Sequence, residues 1–187
     1  MVQAKVGATI DDLYRVRGKA EIVDGEVVLM SPTGFLHGRA AGAICRSLVG
    51  FEGATGTGFA IPDNVGFVVN LPNRRSFSPD AAFYVGQPVA AKFLDGAPRF
   101  AAEVRSEEDY GPAAEKRLAA KRADYFAAGT LVVWDVDVLR EGWVRSYAVE
   151  RQEGPHLFGR GEIAHAEPAL PGWRMPVDDL FGGSRRA

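Results

Sequence analysis

The chain has 187 residues, 47% hydrophobic and 25% charged, with a formal net charge of -2, which is enough for one sizeable core and short for two domains. No apolar run approaches the roughly 20 residues of a membrane-spanning helix, and the start Met1–Lys5 has no long apolar stretch behind it, so neither a span nor a secretory signal is expected. Cys45 is the only cysteine; this excludes an intrachain disulfide and a four-cysteine zinc site and suits a reducing, cytoplasmic setting, while a pI near 5.9 counts mildly against nucleic acid as partner and leaves room for a local basic patch or a metal-rich cleft.

In chain order, residues 9–17 read as a short helix with Thr9 as N-cap and Asp11 and Asp12 near its positive end. Residues 20–30 read as a β-hairpin, because Asp24-Gly25 suits a tight primed turn. Ser31-Pro32-Thr33-Gly34 breaks the strand, and residues 35–50 follow as a helix with Leu36, Ala40, Ile44 and Leu48 on one face. Segments 57–70, 79–85 and 99–105 are expected to be strands, with a loop around residues 71–75 and a polar loop at residues 106–111. Pro112 is placed to open a helix to about Ala128, and Gly129 to stop it. Residues 130–138 form the clearest buried strand and 143–149 its neighbour. Residues 163–181 are expected to pack back irregularly around Trp173, and Gly182–Ala187 to fray. The order argues for one α/β domain: a mixed central sheet flanked by helices.

Three pieces could carry chemistry together. Ser78-Pro79-Asp80 opens one strand, and Glu103 is the single acid within the strand 99–105. Strand alternation puts Ala101, Glu103 and Arg105 on one face. A carboxylate there is costly to bury unless it is paired or binds a metal, and a pair with Arg105 or a lysine is the plain alternative. Asp80 alone is a weaker signal than Glu103 and reads first as a turn former at a strand start. In the following helix Ala114, Leu118, Lys121 and Tyr125 share a stripe that should face the sheet, so Lys121 must snorkel out or meet a carboxylate. Lys116 lies on another stripe, with Ala119, Ala120 and Ala123, which is also packable. Two strand carboxylates and a lysine suit metal-assisted phosphodiester hydrolysis, in which hard oxygens hold Mg²⁺ and the lysine orients water or stabilises developing charge.

The runs YRVRGKAEIVDGEVVLMSPTGFLHG, SPDAAFYV, RFAAEVRSEEDYG and KRADYFAAGTLVVWDVD, with Leu170-Pro171-Gly172-Trp173 near the end, span roughly Thr9 to Phe181. In that order the chain resembles the Uma family of restriction endonuclease-like proteins, which is similar to the PD-(D/E)XK nucleases. The resemblance implies a PD-(D/E)XK core with Asp80 and Glu103 as metal ligands for Mg²⁺ or Mn²⁺. It implies a lysine from the helix, in a Lys-x-x-x-Tyr pattern that Lys121 and Tyr125 fit, with Lys116 in reserve. Arg105 stands where the simplest nuclease motif has its lysine, and arginine does not replace lysine in every role. Glu21 matches a family glutamate and could add an oxygen ligand; a cross-strand partner on an exposed hairpin is the alternative. His37 matches a family histidine and could touch phosphate, or be a hydrogen-bonded structural residue. Asp135 and Asp137 could imitate a metal pair, although Asp137 reads as a turn former; His156 and His165 carry no assigned role.

The leading expectation is a Mg²⁺-dependent DNA endonuclease acting as a homodimer. The alternatives are a binding module with a degenerate nuclease fold, and a metal-dependent hydrolase of RNA or another phosphate ester. Neither a Walker phosphate loop nor a Gly-x-Ser-x-Gly elbow is present.

Overall fold

The computed structural model of the protein describes residues 7–88 and 90–181; the expectations for Met1–Lys5 and Gly182–Ala187 lie outside them. Helix α1 spans Ile10–Arg15. The Thr9 backbone N–H and hydroxyl both donate to Asp12 Oδ2, at 2.8 and 2.7 Å, which fixes the first turn. Strands β1 (Ala20–Val23) and β2 (Glu26–Leu29) form the expected hairpin. Its turn residues Asp24 and Gly25 have φ of 51° and 76°, the primed-turn geometry that this dipeptide tolerates. Helix α2 runs over Phe35–Thr55 and ends on Gly56 in the left-handed region, one turn and more beyond the expected stop at residue 50.

The main sheet has six strands: β3 (Phe59–Pro62), β6 (Ala81–Tyr84), β8 (Phe100–Val104), β9 (Val132–Asp137), β10 (Trp143–Ala148) and β11 (Arg151–Phe158). Their spatial order is β11-β10-β9-β8-β6-β3. Only the β8–β9 pair is parallel, because helix α3 (Pro112–Ala127) makes the crossover between them. A small three-stranded sheet joins β4 (Phe67–Val68), β5 (Ser76–Phe77) and β7 (Leu94–Asp95).

Alternation along β8 sorts the two cores. Phe100, Ala102 and Val104 pack with Ala40, Ile44 and Leu48 of α2 and with Trp134 and Trp173. Ala101 lies on the opposite face with Tyr125 and Phe126 of α3 and with Phe67 and Phe77 of the small sheet. Strand β8 is thus sandwiched between α2 and α3, and Glu103 and Arg105 point to the α3 side.

Three expectations change. The single strand 57–70 is broken after Pro62 by a turn at Asp63-Asn64, where Asn64 has φ 64°; its halves join different sheets. Strand β11 is an edge strand that the sequence reading omits, mostly exposed and carrying Gly154-Pro155 where its register against β10 shifts. The closing segment is more regular than expected: β12 (Ile163–His165) pairs with β13 (Arg174–Pro176) and a 3₁₀ turn follows over Val177–Phe181.

Candidate active site

The site forms where β6 and β8 enter the sheet side by side. The β6–β8 ladder ends at the Ala81–Ala102 pair; just beyond it the Asp80 N–H donates to Ala102 O at 3.1 Å and the Asp80 carboxylate accepts the Val104 N–H, which sets Asp80 beside the Glu103 segment. Two ionised carboxylates on neighbouring strands repel, and on top of burial the Asp80 charge adds to the rise of the Glu103 carboxyl. The fold answers this with two lysines, one on each acid.

Asp80 is 4% exposed. Its Oδ1 meets Lys19 Nζ at 2.5 Å; its Oδ2 accepts the Val104 backbone N–H at 2.8 Å and stands 3.2 Å from His37 Nε2. Burial alone would raise the Asp80 carboxyl, but His37 and Lys19 outweigh it and hold it far below the usual carboxylate range. Burial and the Lys19 charge lower His37, but its bond to the Asp80 carboxylate outweighs them and raises it, while His37 Nδ1 is buried without a hydrogen-bond partner. Lys19 sits just before β1 and also reaches Asp63 Oδ1 at 2.7 Å.

Glu103 Oε2 accepts from Lys121 Nζ at 2.8 Å and Oε1 from the Tyr125 hydroxyl at 2.6 Å. Burial raises the Glu103 carboxyl; Lys121 opposes this, and the charges of Asp80 and Glu21 add to the rise. Lys121 is raised in turn, because Glu103 and Glu21 outweigh its desolvation, so its ammonium stays charged. Tyr125 is raised by burial and by the same two acids, so it remains a neutral donor.

Glu21 is 2% exposed and does not behave as a cross-strand partner on an exposed hairpin. Its Oε1 accepts the Ser78 backbone N–H at 2.8 Å and lies 3.0 Å from Lys121, and its Oε2 takes Arg74 at 2.6 Å. Strand β1 is held there by hydrogen bonds to the 73–78 segment: Ile22 N–H to the Ser76 hydroxyl oxygen at 2.8 Å and Arg75 N–H to Ile22 O at 3.0 Å.

Of the sequence-level candidates, the structure therefore gathers Asp80, Glu103, Lys121, Glu21 and His37. Two others stand apart. Lys116 is exposed, as are Ala119, Ala120 and Ala123 of its stripe, so that stripe faces away from the sheet. Arg105 is 3% exposed and clamps Asp135 with Nε and an NH2 nitrogen, both at 2.7 Å, while also gripping Glu115. Asp135 thus partners an arginine, and Asp137 caps its own turn through the N–H groups of Leu139 and Arg140, both at 3.0 Å; the two do not act as a metal pair.

Sequence reasoning missed Lys19 and Asp63. Neither has a periodic signal; Lys19 precedes a strand and Asp63 lies where the reading drew an unbroken strand.

A groove of about 490 Å³ borders Asp80 and Asp63 and runs along Gly38, Gly42 and Arg46 of α2, while Glu103 and Lys121 line a separate small pocket with Tyr125 and Asp135. Among the described residues, no group of three or more His, Cys, Asp or Glu side chains is arranged to hold a metal. Asp80 and Glu103 nevertheless supply the hard oxygens that Mg²⁺ takes, an ion usually bound through one or two carboxylates with several waters kept. Among the described residues, no helix is long and apolar enough to cross a membrane.

Comparison with known proteins agrees with this architecture. No curated protein matches the chain. The crystal structure of a "putative nuclease belonging to DUF820" from Anabaena variabilis ATCC 29413 superposes with a TM-score of 0.72 at 14% identity, over 93% of this chain and 97% of that one. At that identity the likeness establishes the fold alone, a mixed α/β core with helices on the faces of its central sheet. The profile of the family described as "Uma2: Putative restriction endonuclease" matches residues 10–178, nearly the full length, and the chain belongs to that family.

Proposed function

We propose that the protein is a Mg²⁺- or Mn²⁺-dependent endonuclease that hydrolyses DNA phosphodiester bonds. The observation that carries the reading is the pair Asp80 and Glu103 on adjacent strands, each facing a lysine, with Asp80 bordering an open groove. In this reading Asp80 and Glu103 hold the divalent ion, which when bound polarises the phosphoryl oxygen and activates water. His37 and the Val104 N–H fix the Asp80 carboxylate. Lys121, pinned between Glu103 and Glu21, keeps its proton and so serves by orienting water and stabilising charge on the phosphate. It is too basic to act as the general base. Tyr125 sets the Glu103 rotamer.

The reading includes a homodimer, since cutting both strands of a duplex takes two sites, and a cytoplasmic setting; light scattering measures the former. The direct test is nicking of supercoiled plasmid with Mg²⁺ or Mn²⁺. Cleavage that stops on chelation and falls about 10²-fold or more in D80A and E103A supports the reading. Preference for RNA in a competition assay would move the substrate and leave the site assignment standing.

One observation favours a second reading, a nuclease fold that binds without cutting. The residue two positions after Glu103 is Arg105, locked onto Asp135 and Glu115. That reading predicts no divalent-ion affinity at Asp80 and Glu103.

A further inference from the structure

We propose that Asp63 is an additional ligand of the divalent cation at Asp80, and that the Lys19 ammonium occupies this seat until the cation displaces it. The inference rests on the metal reading above. Lys19 Nζ bridges Asp80 Oδ1 and Asp63 Oδ1 at 2.5 and 2.7 Å, a compact positive charge between two carboxylates from separate elements. A small hydrated cation makes the same demand on those oxygens.

The route in is visible. Asp63 and Asp80 both border the groove beside α2, and the Asp63 side chain is 45% exposed whereas that of Lys19 is 16% exposed. An arriving cation therefore meets Asp63 first. The turn at Asp63-Asn64 holds that carboxylate in place, with the Asn64 N–H donating to Asp63 Oδ1 at 2.7 Å. The lysine stem is flexible and its head prefers water, so the ammonium can move out into the groove as the cation enters. Competition of this kind lowers apparent metal affinity by the fraction of molecules in which the seat is held.

The two residues then have opposite effects on binding. Manganese titrations of the full chain, followed by the electron paramagnetic resonance signal of free Mn²⁺, separate them. K19M and K19Q should bind Mn²⁺ at least fivefold more tightly than wild type, and D63N at least fivefold more weakly. The rise in melting temperature on adding Mn²⁺ should be larger in K19M than in wild type. Lysine variants that bind no more tightly than wild type overturn the competitor, and a D63N that binds equally well or better overturns Asp63 as ligand. If wild type and every variant bind no Mn²⁺, the metal reading itself fails and the proposal with it; if wild type binds and the variants do not differ, the proposal alone fails.

Discussion

Two clusters of buried charge share one face of β8 and differ in the cation that pairs them. At Glu103 and Asp80 the partners are lysines, Lys121 and Lys19, each shared with a second acid, and Asp80 borders a groove. Two residues on, Arg105 is forked onto Asp135 and Glu115. A lysine is a point charge that can be exchanged for another cation. A guanidinium with bidentate geometry is hard to displace and cannot lose its proton. The first cluster has the properties of a site, and the second those of a clamp that ties α3 to β9.

The comparison can be broken most sharply by removing one member from each cluster. D80A or E103A should cost about 10²-fold or more in any metal-dependent cleavage, measured as nicking rate. R105A should leave Asp135 buried without its partner and cost about 3–5 kcal/mol of stability in urea unfolding. K121M should cost less, about 1–2 kcal/mol, because the Glu103 carboxyl is already raised and can take up a proton in place of the lysine's charge. If K121M destabilises as much as R105A, the distinction between site and clamp is lost.

The two glutamates give a pH version of the same test in metal-free protein. Glu115 is lowered, first by its bond to Arg105 and against burial. Its contribution is present above its unfolded value near 4.3 and disappears as pH falls through the lower folded value. Glu103 is raised, so the folded protein binds the extra proton and stability falls as pH rises from about 4.3 through the folded value. E115Q should flatten the acid limb of the stability curve, and E103Q the decline just above it. The smallest expected effect is at Gly129, where φ is 106°: G129A should cost about 1 kcal/mol by straining the end of α3 without touching either cluster.

Much of this was legible from residues alone. The period-two face of β8 and the helical stripe through Lys121 and Tyr125 meet at Glu103, because both periodicities follow from backbone geometry. Asp24-Gly25 located the hairpin through its φ requirement. The partners that come from a distance were not legible. Arg105 carries nothing in sequence that says it will choose Asp135 over Glu103, both within reach of one sheet face. Lys19 and Asp63 meet Asp80 only because the hairpin docks on the 73–78 segment and a turn splits the strand at residue 63. Strands β4, β5 and β7 are two residues long, too short for any alternation, and β11 is mostly exposed, so no apolar pattern marks it.

The central claim is that Asp80 and Glu103 jointly hold a divalent cation. Calorimetric titration of Mn²⁺ into wild type, D80A and E103A tests it most directly. The account predicts saturable binding by wild type and its loss in both variants. Binding that survives in either variant, or no binding by wild type even with an oligonucleotide present, would contradict it.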